Sequence, residues 1–516
     1  MPTLNWIGKE QVVNHDKEVP FRLFKKVKSA SVGENSQNLI IHGDNLEALK
    51  ALMPYYYGKI KCIYIDPPYN TGNEGWVYND KVNSPKIRKW LGKVVGGEAE
   101  ELCRHDKRLC MMYPRLKLLK DLLSEDGAIF VSIDDNEIIN MNYLLQEIFG
   151  DENFIANIIW QKKYAASNDN KYLSSVHEYL VLFAKNKEHW IPNLFERPAE
   201  LDAKYKNPDN DSRGPWYSTN LSVKTFTQKN YYEIISPKGK KFLPPPSRCW
   251  VVSKEKYQEL LKDNRVWFGK DGNSRPYEKK FLTEVQKGIV PTTLWLHQDA
   301  GHNIGAKSAL REIFEGQTDL FDTPKPVKLI KRVLQLATNK NDLILDSFAG
   351  SGTTGQAVLE LNKEDGGKRQ FILVELEDKV AKEITAERVK RTISKHKYQD
   401  GFEFCELDKP LFNSEGQIDE DCSFEQLAQY VFFTETKINL DRKQIQENLI
   451  GENNDIEYYL LYKEKGVNVF NREFLKKLKR NSAKKVVYAD KCLIDEDFLK
   501  KHNIEFKQIP YEVRVY

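Results

Sequence analysis

The sequence predicts an α/β protein built on a parallel sheet, and two stretches of the 516-residue chain carry that prediction. In the first, an apolar run at residues 38–42 precedes a capped amphipathic helix and a second apolar run at 60–65. In the second, residues 342–346 lead through a glycine-rich turn into a helix, and a further buried run follows at 371–375. Strand, helix and strand in that order need a crossover connection, which sets the two strands parallel. Between these halves, residues 186–300 lack long helical periodicity and read as a separate insert.

Taken in order, residues 1–37 are polar and weakly patterned, an N-terminal arm. Residues 38–42 (Asn-Leu-Ile-Ile-His) form a short strand, and Gly43-Asp44-Asn45 turns and caps a helix over 46–52 that is apolar on one face. Residues 60–65 suit a buried parallel strand. Asp66-Pro67-Pro68-Tyr69 stops it, because neither proline donates a ladder hydrogen bond and each holds the preceding residue extended. The turn presents a carboxylate, rigid backbone carbonyls and an aromatic face at the carboxyl end of a strand, where open α/β sheets bind ligands. An exocyclic amine on a flat ring fits that set: oxygens accept its hydrogens while Tyr69 stacks on the ring. Asp44 ends its own strand beside the expected position of Asp66, either as a plain helix cap or as a site residue.

Residues 74–107, rich in glycine, asparagine and charge, read as a loop over the site. A helix over 109–123, a strand over 128–133, a helix reaching about 149 and strands at 154–160 and 179–183 complete this half. The pattern changes after Lys185. Five of the nine tryptophans (Trp190, Trp216, Trp250, Trp267 and Trp295) fall between 186 and 300, and residues 161–300 carry 24 Lys+Arg against 16 Asp+Glu. Aromatics interleaved with basic residues suit nucleic-acid contact, although most of these tryptophans are expected to fill the core of a β-rich domain. Arg213, Arg248, Arg265 and Arg275 are the candidates for contact with bases or phosphates.

The α/β pattern returns with a helix over 328–336 and the strand 342–346. Ser347-Phe348-Ala349-Gly350-Ser351-Gly352-Thr353-Thr354-Gly355 then enters a helix, and Glu375 stands at the end of the next strand. Small residues let backbone approach a ligand closely, and an acid at that strand end suits ribose hydroxyls. No lysine follows the last glycine, so the turn is not a phosphate-cradling P-loop, and an adenosine-containing ligand is the favoured reading. A charged amphipathic helix spans 381–397, and residues 401–516 hold a second α/β unit with strands near 455–462 and 485–489 and a helix at 474–480.

Composition bounds the class. The chain is 40% hydrophobic and 30% charged with mean hydropathy −0.61, and no stretch approaches the 18 consecutive apolar residues of a membrane span. The start lacks the basic and apolar regions of a signal peptide, so the expected compartment is the cytoplasm. Seven scattered cysteines without a Cys-x-x-Cys pair read as reduced thiols, with no disulfide framework and no metal site.

Asp66-Pro67-Pro68-Tyr69 together with Phe348-Ala349-Gly350-Ser351-Gly352-Thr353-Thr354 resembles the S-adenosylmethionine-dependent DNA amino-methyltransferases. The order of the two motifs, with a long insert between them, is that of the β-class, in which the insert recognises the target. Gly43-Asp44-Asn45-Leu46, Thr323-Pro324-Lys325-Pro326 and Leu373-Val374-Glu375 are further matches. Residues 362–369 and the C-terminal Ile504-Glu505-Phe506 with Ile509-Pro510 look like the modification (Mod) subunits of type III restriction systems. The resemblance implies a circularly permuted, seven-stranded Rossmann-like methyltransferase sheet with helices on both faces, a β-rich target-recognition insert and a C-terminal α/β domain. Its parts are an arm (1–37), a catalytic half (38–185), the target-recognition domain (186–300), a cofactor-binding half (301–398) and a C-terminal domain (399–516). It implies catalysis by Asp66, Pro67, Pro68 and Tyr69. It also implies S-adenosylmethionine held by Asp346, Phe348, Gly350, Gly352, Thr353 and Glu375, with Lys325 and Asp44. The implied substrate is adenine N6 in double-stranded DNA, flipped from the duplex, and the implied protein partners are a second copy and a helicase–nuclease restriction subunit. Cytosine-N4 transfer, a catalytically silent DNA-recognition subunit and an RNA or protein methyltransferase are the alternatives. Cytosine-C5 chemistry needs a cysteine after proline, and the chain has no Pro-Cys pair.

Overall fold

The computed structural model describes residues 4–34, 36–68, 89, 92–94, 104–166, 171–318, 320–413, 415–419, 421–441, 443, 445–463 and 466–509. Ten strands form the large sheet: β1 (Arg22–Lys26), β2 (Leu39–His42), β3 (Ile60–Ile65), β4 (Leu123–Ile133), β5 (Phe154–Gln161), β6 (His177–Ala184), β7 (Leu294–Trp295), β8 (Leu343–Asp346), β9 (Gln370–Glu375) and β10 (Glu403–Pro410). Their spatial order is β1-β10-β2-β9-β8-β3-β4-β6-β5-β7. From β10 to β4 all neighbours are parallel, and β6 runs antiparallel to both β4 and β5.

Seven of these strands, from β2 to β5 in space, form the expected methyltransferase sheet, and three more extend it. The polar N-terminal arm supplies β1, which pairs antiparallel with β10 so that Lys25 lies opposite Glu406. At the other edge β7 pairs with β5. Both additions cover strand edges that would otherwise present unpaired backbone groups. Short or polar sequences give little period-2 signal, so the arm and residues 294–295 did not read as strands.

The central strands are apolar throughout because both faces are covered. Ile63, Ile65, Ile344, Leu345, Ile372 and Val374 are fully buried. Helices α1 (Asn45–Tyr56), α2 (Arg104–Leu122) and α3 (Ile138–Phe149) share one core with Ile41, Ile63, Ile65, Val131 and Val374. Alternate strand residues point to the other face, where α4 (Val327–Ala337) packs on β3 and β4 and also against α5 (Thr353–Asp365). The charged helix near 381–397 begins as a π-helical turn, Val380–Ala386, before α6 (Glu387–His396). The Thr385 hydroxyl there donates to the carbonyls of Gly350, at 2.6 Å, and Val380, at 3.1 Å. Those bonds tie the widened turn to the glycine-rich loop.

Beyond β10, a four-stranded sheet orders Leu449–Asn453, Ile456–Leu460, Lys484–Ala489 and Ile504–Gln508. The helix expected over 474–480 is only the turn Arg472–Leu475. The amide of Lys479 donates to the Tyr459 hydroxyl at 3.2 Å, a tertiary bond that replaces the helical ladder. The six described cysteines are all free, and among the described residues no helix is long and apolar enough to cross a membrane.

The chain divides into two units, Met1–Asn193 with Thr292–Tyr516, and Leu194–Pro291. In the second unit, Trp216–Asn220, Val266–Trp267 and Tyr277–Phe281 form a three-stranded sheet, and Leu221, Ile234, Phe242, Trp250, Tyr257 and Phe268 form a small core. Trp190, Trp216, Trp250 and Trp295 are buried, and Trp267 is half-buried, edge-on to Trp216 with the ring centroids 5.2 Å apart. The tryptophans are therefore core residues. Lys279, fully buried, is bonded to Asp209 and lies 3.3 Å from Asp211, which supplies the charge that a buried ammonium requires.

Candidate active site

The strand order brings together residues that are distant in sequence. β8 lies against β3, with Ile344 opposite Cys62 and Leu345 opposite Ile63, and against β9, with Asp346 opposite Leu373. One cavity at these carboxyl ends is lined by Asp66, Pro67 and Pro68 from the β3 turn, by Asp346, Phe348, Gly350 and Thr353 from the β8 turn, and by Glu375 from β9. Lys325, Phe321 and Thr323 complete it from the segment before α4. Tyr69 lies outside the described residues.

Asp66 is held by Lys325. Lys325 Nζ donates to its Oδ1 at 2.9 Å and its Oδ2 at 2.7 Å, so Lys325 stands on the Asp66 side of the cavity. Burial pulls the Lys325 ammonium down, but Asp66 and Glu178 outweigh it and the net shift is upward, so it stays charged. Glu178 Oε2 is 3.6 Å from Lys325 Nζ, and Glu178 Oε1 is 3.1 Å from Lys162 Nζ. The Pro68 carbonyl is fixed separately: the fully buried Arg108 donates to it from Nε at 2.8 Å, and Glu137 lies 3.6 Å from Arg108 Nη1. Turn and carboxylate are thus both set before a ligand arrives, the preorganisation that electrostatic catalysis requires.

The glycine-rich turn is organised from below. Glu375, 2% exposed, accepts from the Gly350 amide at 2.8 Å and from the Glu377 amide at 3.1 Å. Gly352 caps α5 with φ 75°, and a Cβ there would lie 2.9 Å from the Thr385 carbonyl, so only glycine fits between the turn and the π-helical segment. Arg388, fully enclosed, donates to the Ser351 and Thr353 hydroxyls, each at 2.8 Å. Asp346 accepts from the Thr354 hydroxyl and the Phe348 amide. Burial pushes the Asp346 carboxyl up to about 7; the bonds from Thr354 and Phe348 oppose this, and the nearby charges of Asp66 and Glu375 add to it.

That shift carries a prediction. A carboxyl raised above its unfolded value stabilises the fold fully below the unfolded value of 3.8 and loses that contribution as pH rises through about 7. Urea unfolding is expected to show stability falling between pH 5 and pH 8, and Asp346→Asn is expected to flatten that slope. An identical slope in the variant would remove Asp346 as its source.

One expectation needs correction. Asp44 does not stand beside Asp66, because β9 and β8 intervene between β2 and β3. It caps α1, accepting from the Leu46 amide at 2.8 Å, and Arg115 Nη2 lies 3.2 Å from its Oδ1; it is not among the described lining residues. In the insert, Arg213 is clamped on both oxygens of Asp211 at 2.9 and 2.8 Å and also lies 3.1 Å from Asp263. Arg265 is bonded to Asp263 and Glu284. Both guanidinium groups are paired within their own domain. Arg248 Nε and Arg275 Nη1 are buried and have no hydrogen-bond partner among the described residues. Sequence reasoning missed Phe321, Arg108 and Glu178. None of the three belongs to a recognisable motif, whereas Thr323 lay in view within Thr-Pro-Lys-Pro.

A carboxylate and a glycine-rich turn on neighbouring strands stand at the carboxyl ends of this sheet, where open α/β sheets bind their ligands. Residues 60–387 match the DNA methylase family, and the chain belongs to it. It is 36% identical over 367 residues to the type III restriction-modification enzyme StyLTI Mod subunit of Salmonella typhimurium, covering 69% of this chain and 55% of that protein. It is 32% identical over 423 residues to the EcoP15I Mod subunit of Escherichia coli, covering 73% of this chain and 64% of that protein. With the type II methyltransferase M.KpnI of Klebsiella pneumoniae it shares 30% identity over 387 residues, 69% of this chain and 85% of that protein. The chain thus spans less than two thirds of the length of either Mod subunit.

Proposed function

We propose that this chain transfers a methyl group from S-adenosylmethionine to the N6 amine of adenine in double-stranded DNA, as the modification and specificity subunit of a restriction–modification system. The observation that carries the reading is the meeting of Asp66, Pro67 and Pro68 with Phe348, Gly350 and Glu375 in one cavity. Membership of the DNA methylase family supports it, as do relatives named as Mod subunits. Those names also support a restriction subunit as partner.

The cavity suits the donor. Among its described lining residues three carboxyl groups, Asp66, Asp346 and Glu375, face one ammonium, Lys325, an acidic excess that suits a cationic ligand. A sulfonium supplies that charge, and when bound the cofactor presents an electrophilic methyl. Glu375 would accept from the ribose hydroxyls, and Phe348 and Phe321 would pack on the flat and apolar parts.

On the acceptor side, the adenine amine is a weak nucleophile because its lone pair is delocalised into the ring. Asp66 and the Pro67 carbonyl accept its two hydrogens and favour a tetrahedral nitrogen whose lone pair points at the methyl. The bound cofactor would supply the methyl that this pair takes, the carbon–sulfur electrons staying with the sulfur. The nitrogen then carries the positive charge until one proton passes to the Asp66 carboxylate and on to water. Flipping the base costs a few kcal/mol, and positioning supplies most of the acceleration.

Modification-sensitive sequencing of DNA from cells expressing the chain tests the reading: N6-methyladenine in one short motif is expected. N4-methylcytosine would reassign the base, and unmodified DNA would overturn the activity. Exchanging residues 186–300 with those of a relative of different specificity is expected to move the motif with the insert. A hybrid active on the original sequence would place specificity elsewhere.

A further inference from the structure

We infer that Glu178 is a positioning residue for methyl transfer: it sets the strength of Asp66 as an acceptor by sharing the Lys325 ammonium. The inference rests on the reading above and adds a residue that no motif marks. Four segments contribute an alternating chain of charges: Asp66 after β3, Lys325 before α4, Glu178 on β6 and Lys162 just after β5. Lys325 Nζ lies 2.7 Å from Asp66 and 3.6 Å from Glu178, and Glu178 lies 3.1 Å from Lys162. The side chains of Lys325 and Glu178 are 8% and 6% exposed, so water screens their interaction little. Glu178 faces Trp160 across the β5–β6 ladder, which fixes its place.

During transfer, positive charge moves onto the amine nitrogen beside Asp66. A negative potential at that point stabilises the transition state more than the ground state, and only such differences accelerate the step. Lys325 has opposed effects there. Its two bonds orient both Asp66 oxygens, while its charge cancels that of the carboxylate. Glu178 removes the conflict: with it, the inner group of Asp66, Lys325 and Glu178 carries a net negative charge, and Asp66 keeps its field toward the amine. Lys162, at 15% exposure, balances the outer end where solvent screens it. The competing account is that Glu178 serves only to neutralise Lys162 across the β5–β6 hairpin.

A double-mutant cycle on the full chain separates the two accounts, because a residue that acts through Lys325 loses its effect when Lys325 is gone. Single-turnover methyl transfer to duplex DNA is expected to fall about 10–100-fold for Glu178→Gln in the wild-type background and less than about 2-fold in a Lys325→Met background. Cofactor affinity by calorimetry is expected to stay within about 3-fold, since the donor side is untouched. Glu178→Asp keeps the charge but withdraws it, and a loss of about 3-fold or more confined to the wild-type background is expected. If Glu178→Gln binds no cofactor because it misfolds, the Glu178→Asp arm decides. Equal losses in both backgrounds, or no loss in the wild type, overturn the inference while leaving the proposed activity standing. A wild-type chain that methylates no DNA overturns both.

Discussion

Asp66→Ala is expected to abolish methyl transfer, by about 10³-fold or more, because it removes the acceptor of the reacting amine and the group that takes its proton. Cofactor affinity, measured by calorimetry, is expected to remain near wild type. The structure adds a complication that the variant must face. Lys325 is bonded to both oxygens of Asp66, and truncation takes that carboxylate away from a buried ammonium. Breaking a buried pair typically destabilises a fold by about 3–5 kcal/mol, so Asp66→Asn, which keeps shape and one acceptor, belongs beside it. A variant of either kind retaining a tenth of the turnover would sink the assigned role.

Glu375→Ala is expected to weaken cofactor binding by about 1–3 kcal/mol, the usual cost of losing charge-assisted bonds. The carboxylate has two duties. It would accept from the ribose hydroxyls, and it already accepts from the amides of Gly350 and Glu377, which shape the turn. Glu375→Gln separates them, since its carbonyl oxygen can hold one amide while the negative charge is lost. Calorimetry showing unchanged binding in Glu375→Ala contradicts the placement.

Much of this site was legible in the sequence, for a physical reason. Asp66-Pro67-Pro68 and the glycine-rich turn are local devices whose residues act within a few positions of one another, so their spacing is their signature. The same holds for the strands and helices around them, whose apolar periods survive in β3, β4, β8 and β9. What failed was long-range. Asp44 was set beside Asp66 by treating β2 and β3 as neighbours, and only the inserted pair β8–β9 shows otherwise. Arg213 and Arg265 carry the same composition signal as Arg248 and Arg275, and their ion pairs with Asp211, Asp263 and Glu284 are tertiary facts. Glu178 and Arg108 belong to no motif, and their meaning is set by what lies opposite.

The separation of β2 from β3 has a consequence for how the chain is made. Both strands leave the ribosome well before the pair that must sit between them, β8 and β9, which follows about 280 residues later. At about 5–20 residues per second, synthesis leaves the facing edges of β2 and β3 without native partners for tens of seconds or less. Apolar strands with open edges recruit other chains. The nascent protein is therefore most vulnerable to aggregation while its insert is being translated, and that interval is when a holding chaperone has most to protect.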